Sequence, residues 1–292
     1  MKLLPKFTLI FALVFGAGMA VAGVFAWRFL EDNARDQVLG QARLMMQAAL
    51  AMRAYTNRNI KPLLDTPEVR RREFHPETVP SFAATENFNS LRKQYPDYFY
   101  KEATLNPTNL RDRAVDWEAD VINTFRNNPS EKEVVGERDT PGGKSLFLAR
   151  PLSAPPACLE CHSVPSAAPP SMIRIYGRNN GFGWKPNEVV GAQIVSVPES
   201  VSFAMAKRAF GSLFLYLGLV ALVTLVLIDV ALHFFVVRPV ARLSSTADEI
   251  SRGNLEVGEL PVKGSDEISI LASSFNRMYL SLRKALRLLE DQ

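Results

Sequence analysis

The chain has 292 residues, 47% apolar and 22% charged, with a formal charge of +4 and two cysteines. Its apolar residues gather in two blocks, 7–27 and 210–237. Each is long enough to cross a ~30 Å hydrocarbon core at ~1.5 Å per residue, which excludes a soluble cytoplasmic enzyme. The stretch 28–209 holds 24 basic and 21 acidic residues, and 238–292 holds eight of each. No segment carries the basic excess of a nucleic-acid-binding domain, so nucleic acid is not an expected partner.

Lys2 and Lys6 precede the first block, and Arg238 and Arg242 follow the second. Short positively charged flanks stay cytoplasmic. The expected protein is therefore a two-pass protein of the bacterial inner membrane, with 1–6 and 238–292 cytoplasmic, spans at 7–27 and 210–237, and 28–209 in the periplasm. Ala20-Val21-Ala22 offers a signal-peptide processing site, but the apolar run continues through Val24, Phe25 and Trp27, as in a retained anchor. Asp229 and His233 share a face of the second span. Both lie within three turns of Arg238, and pairing with each other or with water near the cytoplasmic interface is the stronger reading, ahead of a signalling or proton-linked role.

Beyond the first span, Val38, Ala42, Met45, Ala49 and Met52 recur at steps of four and three, so the span is expected to run on as a stalk helix. Pro62, Pro67, Pro76 and Pro80 make 62–80 a loop. Helices are expected over about 81–94 and 109–127, and between them Tyr95, Tyr98, Phe99, Tyr100 and Pro107 suit either a pocket wall or ordinary core. The period then shortens. Lys144–Arg150 and Gly191–Val197 read as strands, and Pro141-Gly142-Gly143 as a hairpin turn before the first of them. A sheet with flanking helices between two spans is an α+β sensor-like domain.

Both cysteines fall in Cys158-Leu159-Glu160-Cys161-His162. This is the pattern of covalent c-type haem attachment: two thiols add to the haem vinyl groups, and the adjacent imidazole becomes the proximal iron ligand. The rivals are weaker. A zinc site needs about four ligands, and the chain has two cysteines and three histidines. A thioredoxin-like pair belongs to a βαβ context, whereas this motif is set in a loop among Pro155, Pro156, Pro165, Pro169 and Pro170. A simple disulfide leaves His162 unused. For the sixth iron position there is no third cysteine, and His233 lies in the membrane. His75, Met52, Met172, another weak ligand or none at all remain open. Gly142-Gly143-Lys144-Ser145 has Arg138 where a phosphate loop has its first glycine, so it is a turn.

After Pro239, Val236, Val240, Leu243, Ala247 and Ile250 make one heptad seam, and Ile268, Leu271, Phe275, Met278, Leu282, Ala285 and Leu289 make another. Two short helices with such seams call for a homodimer forming a parallel four-helix bundle. With Ser251-Arg252-Gly253-Asn254-Leu255 and Asp266-Glu267-Ile268, the segment resembles a HAMP domain, with Ser269 where glycine often follows the acidic pair. The loop between the spans resembles the c-type haem-binding PAS-like sensor domains of bacterial membrane signalling proteins. That resemblance is carried by 78–84, Tyr95-Pro96-Asp97-Tyr98, Asn106-Pro107-Thr108-Asn109 with Arg111 and Arg113, Trp117-Glu118, the Cys158–His162 motif, Tyr176-Gly177, Gly181-Phe182-Gly183-Trp184 and 191–195. It implies a PAS-like sheet holding one covalent haem c.

The expected fold is an α+β PAS-like periplasmic domain between two transmembrane helices, followed by an all-α HAMP coiled-coil domain. The expected function is not enzymatic. It is a transmembrane haem-based sensor of redox state or a diatomic gas, dimeric through HAMP and stalk helices, and passing its signal to a separate cytoplasmic effector because three residues follow Leu289. The alternative is a membrane-anchored c-type cytochrome for electron transfer.

Overall fold

The computed structural model describes residues 3–254, 256–262 and 264–290, with backbone alone at 3, 70, 71, 289 and 290. Lys2, Leu255 and the Leu289 side chain, used above for topology and for the HAMP pattern, lie outside the described residues. Residues 28–209 form one compact unit, and the described residues on either side form another.

The first helix, α1 (Leu3–Tyr55), is a single helix of 53 residues, as the uninterrupted pattern required. It ends in a π turn, Thr56–Ile60, where Thr56 Oγ1 bonds back to Met52 O at 2.9 Å. The expected loop at 62–80 is instead built of short pieces: α2 (Lys61–Leu64), α3 (Pro67–Arg72) and a 3-10 turn at Pro76–Thr78. Each has its proline in the first turn, where the missing N–H costs nothing, so these prolines start helices as well as break them. Then come α4 (Pro80–Arg92), β1 (Phe99–Thr104) and α5 (Asp116–Asn127). The last starts later than expected because Glu118 Oε2 accepts from Val115 N at 3.0 Å and holds the entry residue in an extended conformation. After β2 (Val134–Thr140) and β3 (Gly143–Ser153) follow α6 (Leu159–His162), α7 (Pro170–Tyr176) and β4 (Val189–Pro198).

The four strands form an antiparallel sheet of order β1-β4-β3-β2. The expected hairpin joins β2 to β3 with Thr140 opposite Gly143, whose φ of +106° suits glycine. β4 is the inner strand of most consequence, buried on both faces from Val190 onward. One face carries Tyr100, Leu146, Leu148, Val195 and Val197 against Val38, Ala42, Met46 and Ala49 of α1 and Phe88 of α4. The other carries Ala103, Ala149, Ala192 and Ile194 against Val121, Ile122 and Phe125 of α5. The expected α1 seam is off by one position at Met45: Met46 is fully buried, while Met45 and Met52 pack at the cluster's edge. Burial of each such side chain is worth ~1.5–3 kcal/mol. The domain thus has its own α+β core.

From the end of the 28–209 unit, α8 (Ser200–Leu232) runs into the other unit and passes through a π turn (His233–Val237) into α9 (Arg238–Ser251), and α10 (Glu267–Glu290) follows. The helices α1 and α8 are long and apolar enough to cross a membrane, and none of the most apolar stretch of either is buried. Trp27 meets Phe210 edge-on at 5.4 Å, and Thr8 Oγ1 donates to the Asp229 carboxylate at 2.8 Å, so Asp229 has a partner on the facing helix. Asp266 Oδ1 caps α10 by accepting from Ser269 N at 2.7 Å. The connector before it is clamped by Asn276, whose side chain makes both bonds of the Leu260 peptide (2.9 and 2.8 Å), and by Tyr279 OH donating to Val257 O at 2.6 Å.

Candidate functional site

Both cysteines and His162 are set on a continuous helical turn, a 3-10 turn at Pro156–Cys158 running into α6. The expected loop is therefore helical at the motif itself: Pro155 and Pro156 start the turn, and their fixed φ presets it. The turn puts residues three apart on one side, so both thiols can face one planar ligand. Neither cysteine is in a disulfide, and both are half-buried. Burial pushes the Cys158 thiol up, Arg53 and Lys61 pull it down, and Glu102 adds to the rise.

His162 is held from three directions. Its Nδ1 lies 2.7 Å from Gly181 O. A carbonyl only accepts, so Nδ1 carries the proton and Nε2 keeps its lone pair, the tautomer a metal ligand needs. Thr108 Oγ1 is 3.3 Å from the same nitrogen. The Trp184 ring stacks on the imidazole at 4.1 Å and 11°. Burial holds His162 below the ordinary histidine value, partly opposed by the bond to Gly181, so the neutral ring is favoured.

The carbonyl is itself positioned. Gly181 N donates to Asn106 Oδ1 at 3.0 Å, and Asn106 Nδ2 donates to Phe182 O at 3.1 Å, so one amide side chain locks both peptides. Gly181 has φ +81°, and a Cβ there would overlap Thr108. Glycine is thus required on two counts. Gly183 N and Trp184 N return to the carbonyls of Ser163 and His162 (2.9 and 3.3 Å), tying 181–184 to the motif turn.

Beside the turn is a cavity of about 390 Å³ lined by Pro67, Cys161, Ala167, Ala168, Pro169 and Pro170 among others. Glu160 and Ser166 complete its lining, and Cys161 is the one residue of the attachment motif's Cys–Cys–His set that reaches it. A haem fits this donor set: two thiols on one turn, an imidazole with Nε2 available, and no competing cluster of three or more metal-binding side chains among the described residues.

The open distal candidates fall in different places. Met52 is on α1, half-buried, next to Arg53, whose field acts on Cys158. Met172 is on α7 and 3% exposed. His75 precedes the 3-10 turn at Pro76–Thr78, half-buried, with its carbonyl accepting from Thr78 Oγ1 at 2.7 Å. The sequence quoted Asn106, Thr108, Gly181 and Trp184 without a role. Thr108 lies 54 residues before His162 and Gly181 19 after it, and no local pattern signals the grouping.

The Tll0287-like family model matches residues 31–198, more than half of the chain, and the HAMP domain model matches 232–284. Among solved structures the chain is similar to the crystal structure of the cyanobacterial heme-protein Tll0287, at 14% identity and a TM-score of 0.44, over 55% of this chain and 94% of that one. No curated protein matches it.

Proposed function

The chain belongs to the Tll0287-like family, and from that membership together with its HAMP domain we propose that it is a transmembrane haem-based sensor. In this reading Cys158 and Cys161 form the two thioethers of a single haem c, and His162 Nε2 is the proximal iron ligand. The observation that carries the assignment is the Nδ1–H of His162 directed at Gly181 O, which leaves Nε2 as the donor. When bound, haem supplies a one-electron couple and an iron site for a small ligand. Gly181, Thr108 and Trp184 fix the imidazole plane. Met52 or His75 is the distal ligand, or the position is open; the first arrangement suits a redox sensor and the second a sensor of a diatomic gas.

Residues 28–209 are placed in the periplasm, 7–27 and 210–237 in the inner membrane, and 1–6 and 238–292 in the cytoplasm. The HAMP helices pair with those of a second copy. Leu271, Met278 and Leu282 of α10 stay exposed in the single chain while Ser269, Ala272, Asn276 and Tyr279 are buried, which supports a seam kept for that partner. The output goes to a separate cytoplasmic effector. A membrane-anchored electron carrier remains the second reading of the haem motif, and the HAMP match favours the sensor, since electron transfer has no use for that segment.

The test has two arms. Protein made with a c-type maturation system is expected to carry covalent haem, and CO added to the reduced form reports the distal site: rapid binding means an open or weak position, and slow or absent binding a firm ligand. Deleting the cytoplasmic helices is expected to abolish the physiological response with haem retained. A response that survives the deletion while electron transfer persists would replace the sensor by the carrier.

A further inference from the structure

A cavity of about 380 Å³ within the 28–209 unit shares no residue with the Cys158–His162 turn. Three parts of the unit line it. α1 contributes Glu31, Asp32 and Arg35, β2 and β3 contribute Glu137 and Lys144, and the passage from β4 into α8 contributes Glu199 and Phe203. Glu199 N donates to Lys144 O at 3.0 Å, and Phe203 N donates to Glu199 O at 3.0 Å, so this passage is fixed both to β3 and to the first turn of α8.

Glu199 is the unusual member. It is 7% exposed, and its Oε1 is buried without a hydrogen-bond partner. Buried carboxylate oxygens are normally bonded, because losing water without gaining another donor is costly. Among the described residues only Ser171 Oγ shares this condition, and Ser171 lines neither this cavity nor the one beside Cys161. Burial and Glu137 push the Glu199 carboxyl up while Lys144 and Arg35 pull it down, so the charged groups acting on it all line the same cavity.

The lining decides what can supply the missing donor. It holds four carboxylates, Glu31, Asp32, Glu137 and Glu199, against two basic groups, Arg35 and Lys144. Arg35 Nη2 is engaged by Glu137 Oε1 at 3.0 Å, which leaves three carboxylates facing one lysine. A cation is favoured by that surplus. Among the described residues no group of three or more metal-binding side chains is placed to hold a metal ion, and the volume is that of a small-molecule site. Phe203 adds an aromatic ring, which attracts an ammonium. We propose that this cavity binds a small primary amine as its ammonium, which donates one N–H to Glu199 Oε1 and is balanced in charge by Glu31 and Asp32. A soluble amine and an ethanolamine lipid headgroup both present that group, and the apolar block 7–27 ends one helical turn before Glu31. The site stands independently of the haem assignment.

The experiment uses the full-length protein in phosphatidylcholine nanodiscs and a buffer without primary amines, titrated by calorimetry with 1,4-diaminobutane against empty nanodiscs. Wild type is expected to bind saturably. Glu199→Gln keeps the shape and removes the charge, and is expected to weaken binding about tenfold or more. Glu31 and Asp32 are exposed, so E31Q/D32N keeps the test available if Glu199→Gln fails to fold, and it too is expected to weaken binding. Glu131→Gln, at an exposed carboxylate outside the cavity, is expected to leave binding unchanged. Adding phosphatidylethanolamine to the nanodiscs separates the two sources: a raised apparent Kd for the diamine assigns the site to the headgroup, and an unchanged one assigns it to a soluble amine. Absence of saturable binding to wild type, or equal affinity in wild type and both cavity variants, overturns the proposal. Calcium that displaces the diamine at lower concentration overturns it as well, since the cavity is then a metal site.

Discussion

The two parts of the molecule solve the burial problem differently. The 28–209 domain covers both faces of its sheet with its own helices, and the side chains at its centre, Phe125, Ile122, Leu146, Leu148 and Ile194, have almost no exposure. The apolar helices and the HAMP segment leave large side chains uncovered: Leu215 at 71%, Phe235 at 73% and Met278 at 60%. The first region is complete as a single chain. In the proposed arrangement the second is covered by its surroundings, lipid for the helices and a second chain for the HAMP seam. In that arrangement a conformational signal is easier to read out in the second, since its packing partner is another molecule and the contact can be remade at low cost.

That contrast is broken or sharpened by substitutions on each side. The largest effect is expected at Phe125, where truncation to Ala leaves a cavity in the α5 face of the core and costs ~3–5 kcal/mol. Denaturation of the intact protein followed by emission of Trp117, which packs on that cluster, measures it; a loss below about 1 kcal/mol would mean the domain's core lies elsewhere. Next is the pH dependence of Asp112. Burial, opposed by Arg111, raises its carboxyl from 3.8 to about 6. A raised acid pKa means the folded state holds the proton more tightly than the unfolded chain, so its stability contribution is present below about pH 4 and is lost as pH rises to about 6. The loss is on the order of 2 kcal/mol after allowance for partial exposure. Asp112→Asn is expected to flatten stability across this window, and an unchanged slope would assign the dependence to other groups.

A smaller effect, ~1–2 kcal/mol, is expected for Thr108→Val, which removes one contact to His162 and leaves the Gly181 bond in place. Under the proposed haem assignment its clearest sign is a disturbed histidine ligand in the haem spectrum, and a wild-type spectrum would show that Gly181 and Trp184 suffice. The smallest effect on the single chain, within about 0.5 kcal/mol, belongs to Leu282→Gln on the exposed side of α10. The same change is expected to abolish cross-linking between copies through the HAMP segment. Equal cross-linking in wild type and variant would remove this seam from the interface.

The sequence made some of this architecture legible and not the rest, for physical reasons. The long α1, the β2–β3 hairpin and the strands around Leu146 and Ile194 follow local rules, helical periodicity and turn chemistry, and were expected where they lie. β1 is not legible locally, because Phe99 and Tyr100 read equally as a pocket wall or as core; only pairing with β4, nearly a hundred residues on, makes them a strand edge. The prolines of 62–80 and those around Cys158–His162 read as breakers, whereas at first-turn positions they are compatible with helix. At the proposed site, Cys158, Cys161 and His162 are assigned from the spacing of the motif. The residues that orient His162 come from two distant loops.

The central claim, that the Cys158–His162 turn carries one haem c, is tested most directly by the intact mass and absorption spectrum of the full-length protein purified from cells with a c-type maturation system. The account predicts a mass increase equal to one haem that survives denaturation, an absorption spectrum of c-type haem, and loss of both in C158A/C161A. A chain of unmodified mass, or haem that is extracted by acid and solvent from wild type and double variant alike, would contradict it.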